Sequence, residues 1–526
     1  MMKVECGKLV EKIKNPILPG FNPDPSIVAA NGRYYIAVSS FQWLPGIRIY
    51  ESKNLIDWTH KTDVLTTQHD FRGNPIDCSV WAPQISYHDD KFYVVYTDVK
   101  STVRPFKDCR NYLITSDSIE GPWSEPVYLN GSGFDPSLFH DDDGKKYLLN
   151  VIWDYRVTTG NKSDGIVMQE FDEKENRLVG SLIKIFDGTE LKKTEASHIY
   201  KKDGYYYLIT AEGGTGRNHA VTVARSKDIA GPYELDPHYP MLTSAHDPDW
   251  PFQQSGHASL IETDNNEWYM AHLMTRPIDG EHVLLGRETA IQKVYWDEEG
   301  WLRLSHGGKL PAIEVDAPKG SHSEMKDHST DFTDYFDQGS LDREWNTLRT
   351  SATEDWLSFD ATETGLRIYG GESVQSLFNH HLIGTRQKDF KFSVDTEVLY
   401  EPTNFLQMAG MLLYLNEKNY IYSYITHDEE KGKVLRLMKS IEGAFNLSPH
   451  IIQLENNQAL KLGIEVDGIS ARFYYEANEE KQLMGEIHDI SFLSGGFTGN
   501  FIGLSCQDMN QYKGSHADFT YFNYKS

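Results

Sequence analysis

The sequence predicts an all-β protein, a five-bladed β-propeller followed by a β-sandwich. Three observations predict it. The 526 residues include 30 Tyr, 24 Phe and 11 Trp beside 41 Gly and 21 Pro, the composition of many short strands joined by tight turns. A strand–turn–strand phrase recurs five times in the first three hundred residues. After about residue 330 the text changes to strand-length segments that alternate apolar and polar residues, as a sandwich requires.

The recurring phrase is a small motif, an apolar strand, a polar turn and a Tyr-rich strand. It reads Asp24-Pro25-Ser26-Ile27-Val28, Asn31-Gly32, Tyr34-Tyr35-Ile36 in the first copy. Ala82-Pro83-Gln84-Ile85, Asp89-Asp90, Phe92-Tyr93-Val94 follows as the second. The third is Asp135-Pro136-Ser137-Leu138, Asp143-Gly144, Tyr147-Leu148-Leu149. The fourth is Glu195-Ala196-Ser197-His198, Asp203-Gly204, Tyr205-Tyr206-Tyr207, and the fifth is His257-Ala258-Ser259-Leu260, Asn265-Asn266, Trp268-Tyr269-Met270. Starts at 24, 82, 135, 195 and 257 are 53 to 62 residues apart, the period of a four-stranded propeller blade. Asn-Gly and Asp-Gly suit hairpin turns because both central residues take positive φ there. The run Asp141-Asp142-Asp143-Gly144 lacks the alternating acidic spacing of a calcium-binding loop and reads as a solvated turn.

Charge and cysteine content exclude several classes. There are 51 Lys and Arg against 77 Asp and Glu, a formal net charge of −26. Phosphate-backbone binding needs clustered cations, so no nucleic-acid partner is expected. No stretch approaches the ~20 apolar residues of a membrane helix, so no membrane partner is expected. Met1 to Leu9 holds no leader-like apolar run. Cys6, Cys78, Cys109 and Cys506 are sparse and widely spaced, unlike a zinc pattern or a disulfide framework. These features predict a cytoplasmic protein, the alternative being a secreted one whose leader has been removed.

Chemistry enters at the first position of each copy: Asp24, Ala82, Asp135, Glu195 and His257. Innermost blade strands ring one axis, so three acids distant in sequence are expected to meet there. Crowded carboxylates raise at least one pKa and mark a functional site. The structural alternative is an Asp that bonds its own turn at a strand entry. Two carboxylates across a glycosidic bond, one neutral and one ionised, are the usual machinery of sugar hydrolysis.

With Asn22-Pro23-Asp24-Pro25-Ser26, Gly133-Phe134-Asp135-Pro136-Ser137 and Thr194-Glu195-Ala196-Ser197, the chain resembles glycoside hydrolase family 43, and its two-domain β-xylosidases in particular. Phe41-Gln42-Trp43-Leu44-Pro45-Gly46, Val80-Trp81-Ala82-Pro83, Ala211-Glu212-Gly213-Gly214-Thr215 and Leu285-Gly286-Arg287-Glu288-Thr289 carry the resemblance further. It implies a propeller with a concanavalin-like sandwich and hydrolysis with inversion. It implies Asp24 as general base, Glu195 as general acid and Asp135 as the residue that tunes and orients the acid. Arg287 is expected on the hydroxyls of the terminal sugar, against the alternative of an ion pair with Glu288. Phe41 and Trp81 are expected to wall the pocket, against ordinary blade packing. No cofactor is expected to be required; a divalent cation such as calcium near the axis is left open, with His257 as its candidate ligand, directly or through water.

The expected boundaries are a catalytic propeller over 1–312, a linker over 313–329 and a sandwich over 330–526, which the resemblance implies lends a loop to the pocket rim. Phe501 is its candidate contact. The predicted activity is exo-release of D-xylose from the non-reducing end of β-1,4-xylo-oligosaccharides. α-L-Arabinofuranosidase activity, alone or combined, is the nearest alternative, and a non-catalytic sugar-binding propeller is the alternative of another class. Small xylo-oligosaccharides are the expected partners, and the resemblance implies a homodimer or homotetramer.

Overall fold

Five antiparallel sheets are arranged in sequence order through the first three hundred residues. The computed structural model describes residues 11–526 apart from 159, 326–328, 354, 361–364 and 478–479. Cys6, the N-terminal segment and part of the expected linker therefore lie outside the described residues, which contain 41 strands and no helix. Blade 1 is Ser26–Ala30, Arg33–Val38, Gly46–Ser52 and Thr59–Leu65. Blade 2 runs from Ser79–His88 to Val127–Asn130 and blade 3 from Gly133–His140 to Arg177–Phe186. Blade 4 begins with Glu195–Lys202 and gains a short fifth strand, Leu242–Thr243. Blade 5 spans Gln253–Glu262 to Leu302–Leu304.

The predicted two-residue turns form in blades 1, 2 and 4, where Asn31-Gly32, Asp89-Asp90 and Asp203-Gly204 all have positive φ. Blades 3 and 5 use a longer loop. There Gly144 N donates to Asp141 O and Asp141 N to Lys145 O, with one left-handed residue, Gly144. The same pattern closes Thr263–Glu267 around Asn266. This is a type I turn followed by one left-handed residue, the next commonest hairpin connection.

Among the described residues no strand is exchanged between the first and last blades. The ring is sealed instead by residues 11–22 running along blade 5. Lys12–Lys14 pairs with Glu314–Asp316, and Asn22 N donates to Arg287 O at 3.0 Å. Glu314–Asp316 falls in the span expected to be linker; apolar packing of Ile13 and Val315 with the blade 5 residues Tyr269 and Ile291 holds it to the propeller.

The second domain is two nine-stranded antiparallel sheets packed face to face. Their inner faces supply the cluster of Val394, Met411, Leu413, Ile464, Phe473 and Phe519. One of these sheets ends in a propeller segment. Trp43–Leu44 pairs with Asn346–Leu348, in register Trp43 to Leu348 and Leu44 to Thr347. The Trp43 ring stacks on Phe501 with centroids 3.7 Å apart. The two domains thus share a sheet and a core, which places the sandwich against the loops that carry the site. Among the described residues no helix is long and apolar enough to cross a membrane.

Candidate active site

The acids are aimed by backbone, not only by sequence position. Asp24, Ala82, Asp135 and His257 have φ of 56, 37, 53 and 52°, left-handed values at the entry to each innermost strand. In blades 2, 3 and 5 the strand pairing slips at this point. Such a bulge kinks the strand and re-aims a side chain, and Asp tolerates the left-handed region better than most residues. Blade 4 departs from the expected column. Its left-handed residue is Ala196, φ 51°, so Glu195 stands one position before the bulge. A side chain one methylene longer compensates for that offset.

Asp24, Asp135 and Glu195 line one cavity of about 190 Å³, together with Phe41, Trp81, His257 and Arg287. Asp24 and Asp135 are buried and Glu195 is half-buried. Phe501 does not line the cavity: it is fully buried behind it, under Trp43. The sandwich residue on the wall is Phe497, four positions earlier. Phe497 stacks on Phe41 at 5.9 Å and lies edge-on to Trp81 at 5.6 Å. Its carbonyl accepts from Arg287 Nε at 3.2 Å. Two glycines permit this approach. A Cβ on Gly286, whose φ is +75°, would lie 2.7 Å from Gly499 Cα, and one on Gly499 would lie 2.4 Å from Leu285 O.

Arg287 does not pair with Glu288, which is held by Arg276 at 2.7 Å. It grips Asp24 instead, Nη1 to Oδ1 at 2.7 Å and Nη2 to Oδ2 at 3.4 Å. Ser39 Oγ donates to Asp24 Oδ2 at 2.6 Å, and His257 Nδ1 lies 3.4 Å from Oδ1. Burial pushes the Asp24 carboxyl up, but Arg287, His257 and Ser39 together outweigh it and hold it below the usual carboxylate range. Asp24 therefore stays ionised.

The other two acids go the opposite way. Burial pushes Glu195 up to about 7 against the charges of Lys107 and Lys193, with Asp24 adding to the rise. Burial, then the charges of Glu195 and Asp24, lift Asp135 well above its ordinary value. Neighbouring acids driven apart in this way are how one site holds both a base and an acid. Near Glu195 lies a cation that the repeat did not reveal. Lys107 Nζ is 3.9 Å from the Phe134 centroid, 4.4 Å from Trp153 and 4.8 Å from Trp81. Lys107 precedes one blade strand and Trp153 ends another, outside the column that the repeat aligns.

The divalent cation left open at His257 would need ligands beyond that side chain. Among the described residues no group of three or more His, Cys, Asp or Glu is spaced to hold a metal. Among the described residues the carboxylate within ion-pair distance of His257 is Asp24, which Arg287 also holds. Calcium prefers six to eight oxygen ligands.

A propeller whose axial pocket brings a carboxyl held ionised together with one pushed up to about 7 has the pair of groups that glycoside hydrolysis uses. Comparison with known proteins gives the family. The model of glycosyl hydrolases family 43 matches residues 13–302, and that of the beta xylosidase C-terminal concanavalin A-like domain matches residues 333–525. The chain belongs to glycosyl hydrolases family 43. It is 44% identical to a beta-xylosidase of Bacillus subtilis (strain 168), over 98% of this chain and 99% of that protein. It is 40% identical to xylosidase/arabinosidase 43B of Humicola insolens, over 98% of each. The crystal structure of xylan beta-1,4-xylosidase from Bacillus halodurans C-125 superposes with a TM-score of 0.95 at 46% identity, covering 98% of this chain and all of that one.

Proposed function

We propose that this protein is an exo-acting, inverting β-xylosidase that releases D-xylose from the non-reducing end of short β-1,4-xylo-oligosaccharides. One observation carries the reading: Asp24, held ionised, and Glu195, pushed up to about 7, line one small pocket that Phe497 also lines. Asp24 removes a proton from water as the water attacks the anomeric carbon. Glu195 gives its proton to the departing glycosidic oxygen, and Asp135 orients and tunes it. The wall of Phe41, Trp81 and Phe497 limits the pocket to the end of a chain, which supports exo-cleavage. NMR of the sugar released from xylobiose tests substrate and stereochemistry together. An early excess of α-xylose over the anomer mixture that the reducing-end sugar contributes supports inversion, whereas an early excess of β-xylose overturns it.

A second reading rests on the combined name of the 40%-identical xylosidase/arabinosidase. It predicts turnover of both aryl β-xyloside and aryl α-L-arabinofuranoside by the same three acids, and paired assays on one preparation decide it. The binding-only reading predicts no turnover at all.

The opposite shifts of the two acids predict a bell-shaped dependence of kcat/KM on pH. A base must be deprotonated, and Asp24 stays so until the pH falls below the usual carboxylate range. An acid must be protonated, and Glu195 ceases to be so above about pH 7. The plateau thus lies on the acidic side of neutral. An alkaline limb that persists unchanged in Glu195→Gln removes Glu195 from the acid role.

The glycine pair at the cap gives another expected result. Gly286→Ala adds a Cβ 2.7 Å from Gly499 at a left-handed φ. The loop bearing Phe497 must then move away from Arg287. Since a misplacement of ~1 Å can cost 10²-fold, KM for xylobiose is expected to rise roughly tenfold, with the circular dichroism spectrum unchanged.

A further inference from the structure

A buried carboxylate outside the pocket holds the turn that delivers Glu195. Glu212 ends the strand Tyr205–Glu212 and is fully buried. Three donors converge on it. Thr189 N and Thr194 Oγ1 bond Oε1 at 2.8 and 2.7 Å, and the Thr189 hydroxyl bonds Oε2. Two other fully buried acids are paired with cations, Glu288 with Arg276 and Asp236 with Arg303, whereas Asp508, like Glu212, is held by hydrogen-bond donors. Glu212 has no Lys, Arg or His ion-pair partner among the described residues. An unpaired buried acid is costly, and plain packing does not call for one.

The segment it holds is strained. Lys192 and Lys193 have φ of 64 and 54°, and Ala196 has φ of 51°, so left-handed residues that are not glycine stand two and three positions before Glu195 and one after it. Such conformations persist where surrounding contacts over-determine them. Glu212 supplies contacts at both ends of the turn, and Gly213 N adds one to Lys192 O at 2.8 Å. Gly188 makes the fold-back feasible, since a Cβ there would lie 1.9 Å from Thr194 Oγ1. Gly214 leaves a path for Lys193, whose Cδ would lie 2.4 Å from a Cβ at that position. Lys193 then reaches the pocket wall.

We propose that Glu212 is a positioning residue for the proton-donating carboxyl of Glu195: by tying Thr189 to Thr194 it fixes the strained turn that presents Glu195 to the leaving group. The inference rests on reading Glu195 as the general acid. Glu212 itself touches neither substrate nor the reacting atoms.

The test compares two leaving groups in Glu212→Gln, Thr194→Val and Glu195→Gln. Xylobiose releases a sugar alkoxide that needs a proton, whereas 4-nitrophenyl β-D-xyloside releases a stabilised phenolate that needs little help. A displaced acid therefore lowers kcat on xylobiose by roughly 10- to 100-fold and on the aryl xyloside by less than about threefold. Glu195→Gln should show the same selectivity more strongly. Equal losses on both substrates in Glu212→Gln, with Glu195→Gln still selective, would make Glu212 merely structural and overturn the proposal. So would no loss on either. Loss of selectivity in Glu195→Gln itself overturns the general-acid reading and the proposal with it. Should Glu212→Gln fail to fold by circular dichroism, Thr194→Val, which deletes a single hydroxyl donor, decides by the same criterion.

Discussion

Asp24→Asn is expected to abolish most turnover, by roughly 10²- to 10⁴-fold in kcat, the range for loss of a general base. The substitution keeps the shape of the side chain and its place at the bulge, but an amide cannot take the proton from water. Ser39 and Arg287 remain as donors facing a neutral oxygen. The variant should bind the sugar yet hardly hydrolyse it, so equilibrium binding of xylobiose by calorimetry separates the two effects. Residual activity carries a second signature. The negative charge of Asp24 helps to raise Glu195, so removing it moves the alkaline limb to lower pH. A loss of less than about tenfold, with the pH profile unmoved, would take Asp24 out of the mechanism.

Arg287→Ala is the other large effect. The guanidinium holds Asp24 through two hydrogen bonds while both side chains are buried. Losing the cation that holds Asp24 ionised and oriented impairs the general base, so kcat/KM is expected to fall by about 10²-fold or more, the range for loss of general base catalysis. Breaking a buried pair also leaves one charge uncompensated, at a cost of about 3–5 kcal/mol in stability, visible as a lowered denaturation midpoint. The pH profile identifies the cause. Arg287 lowers the pKa of Asp24 and, to a smaller extent, that of Glu195. Its removal raises both, so both limbs of the bell move to higher pH. Loss of stability alone would leave the limbs where they were.

The blades were legible because each hairpin is local. A strand, a two-residue turn and a second strand lie within about twenty residues, and Asn31-Gly32 or Asp203-Gly204 carries its own backbone preference. Asp24 and Asp135 were legible for the same reason, since a repeat of known period puts equivalent residues at equivalent places. The offset in blade 4 was not. The bulge moves to Ala196, where the first three copies carry Pro, whose fixed negative φ excludes that shift; but the fifth copy also has Ala there, Ala258, and keeps its left-handed residue at His257, so the Ala alone does not announce the offset. Phe497 and Phe501 show the same limit. They are four residues apart and of one type, and only the Gly286–Gly499 approach decides which lines the cavity and which stacks under Trp43. The pairing of Trp43–Leu44 with Asn346–Leu348 joins segments some three hundred residues apart, which no local period announces.

By itself the sequence determined the propeller, the sandwich and the identity of the three acids, because these follow from short-range periodicity and turn chemistry. The tertiary structure alone decided how those acids differ. Asp24 and Glu195 are both carboxyls with similar intrinsic acidity. One meets Arg287 and stays ionised, while the other is desolvated beside a caged lysine and keeps its proton to about pH 7. Proton affinity is a property of surroundings, and here those surroundings come from distant segments of the chain.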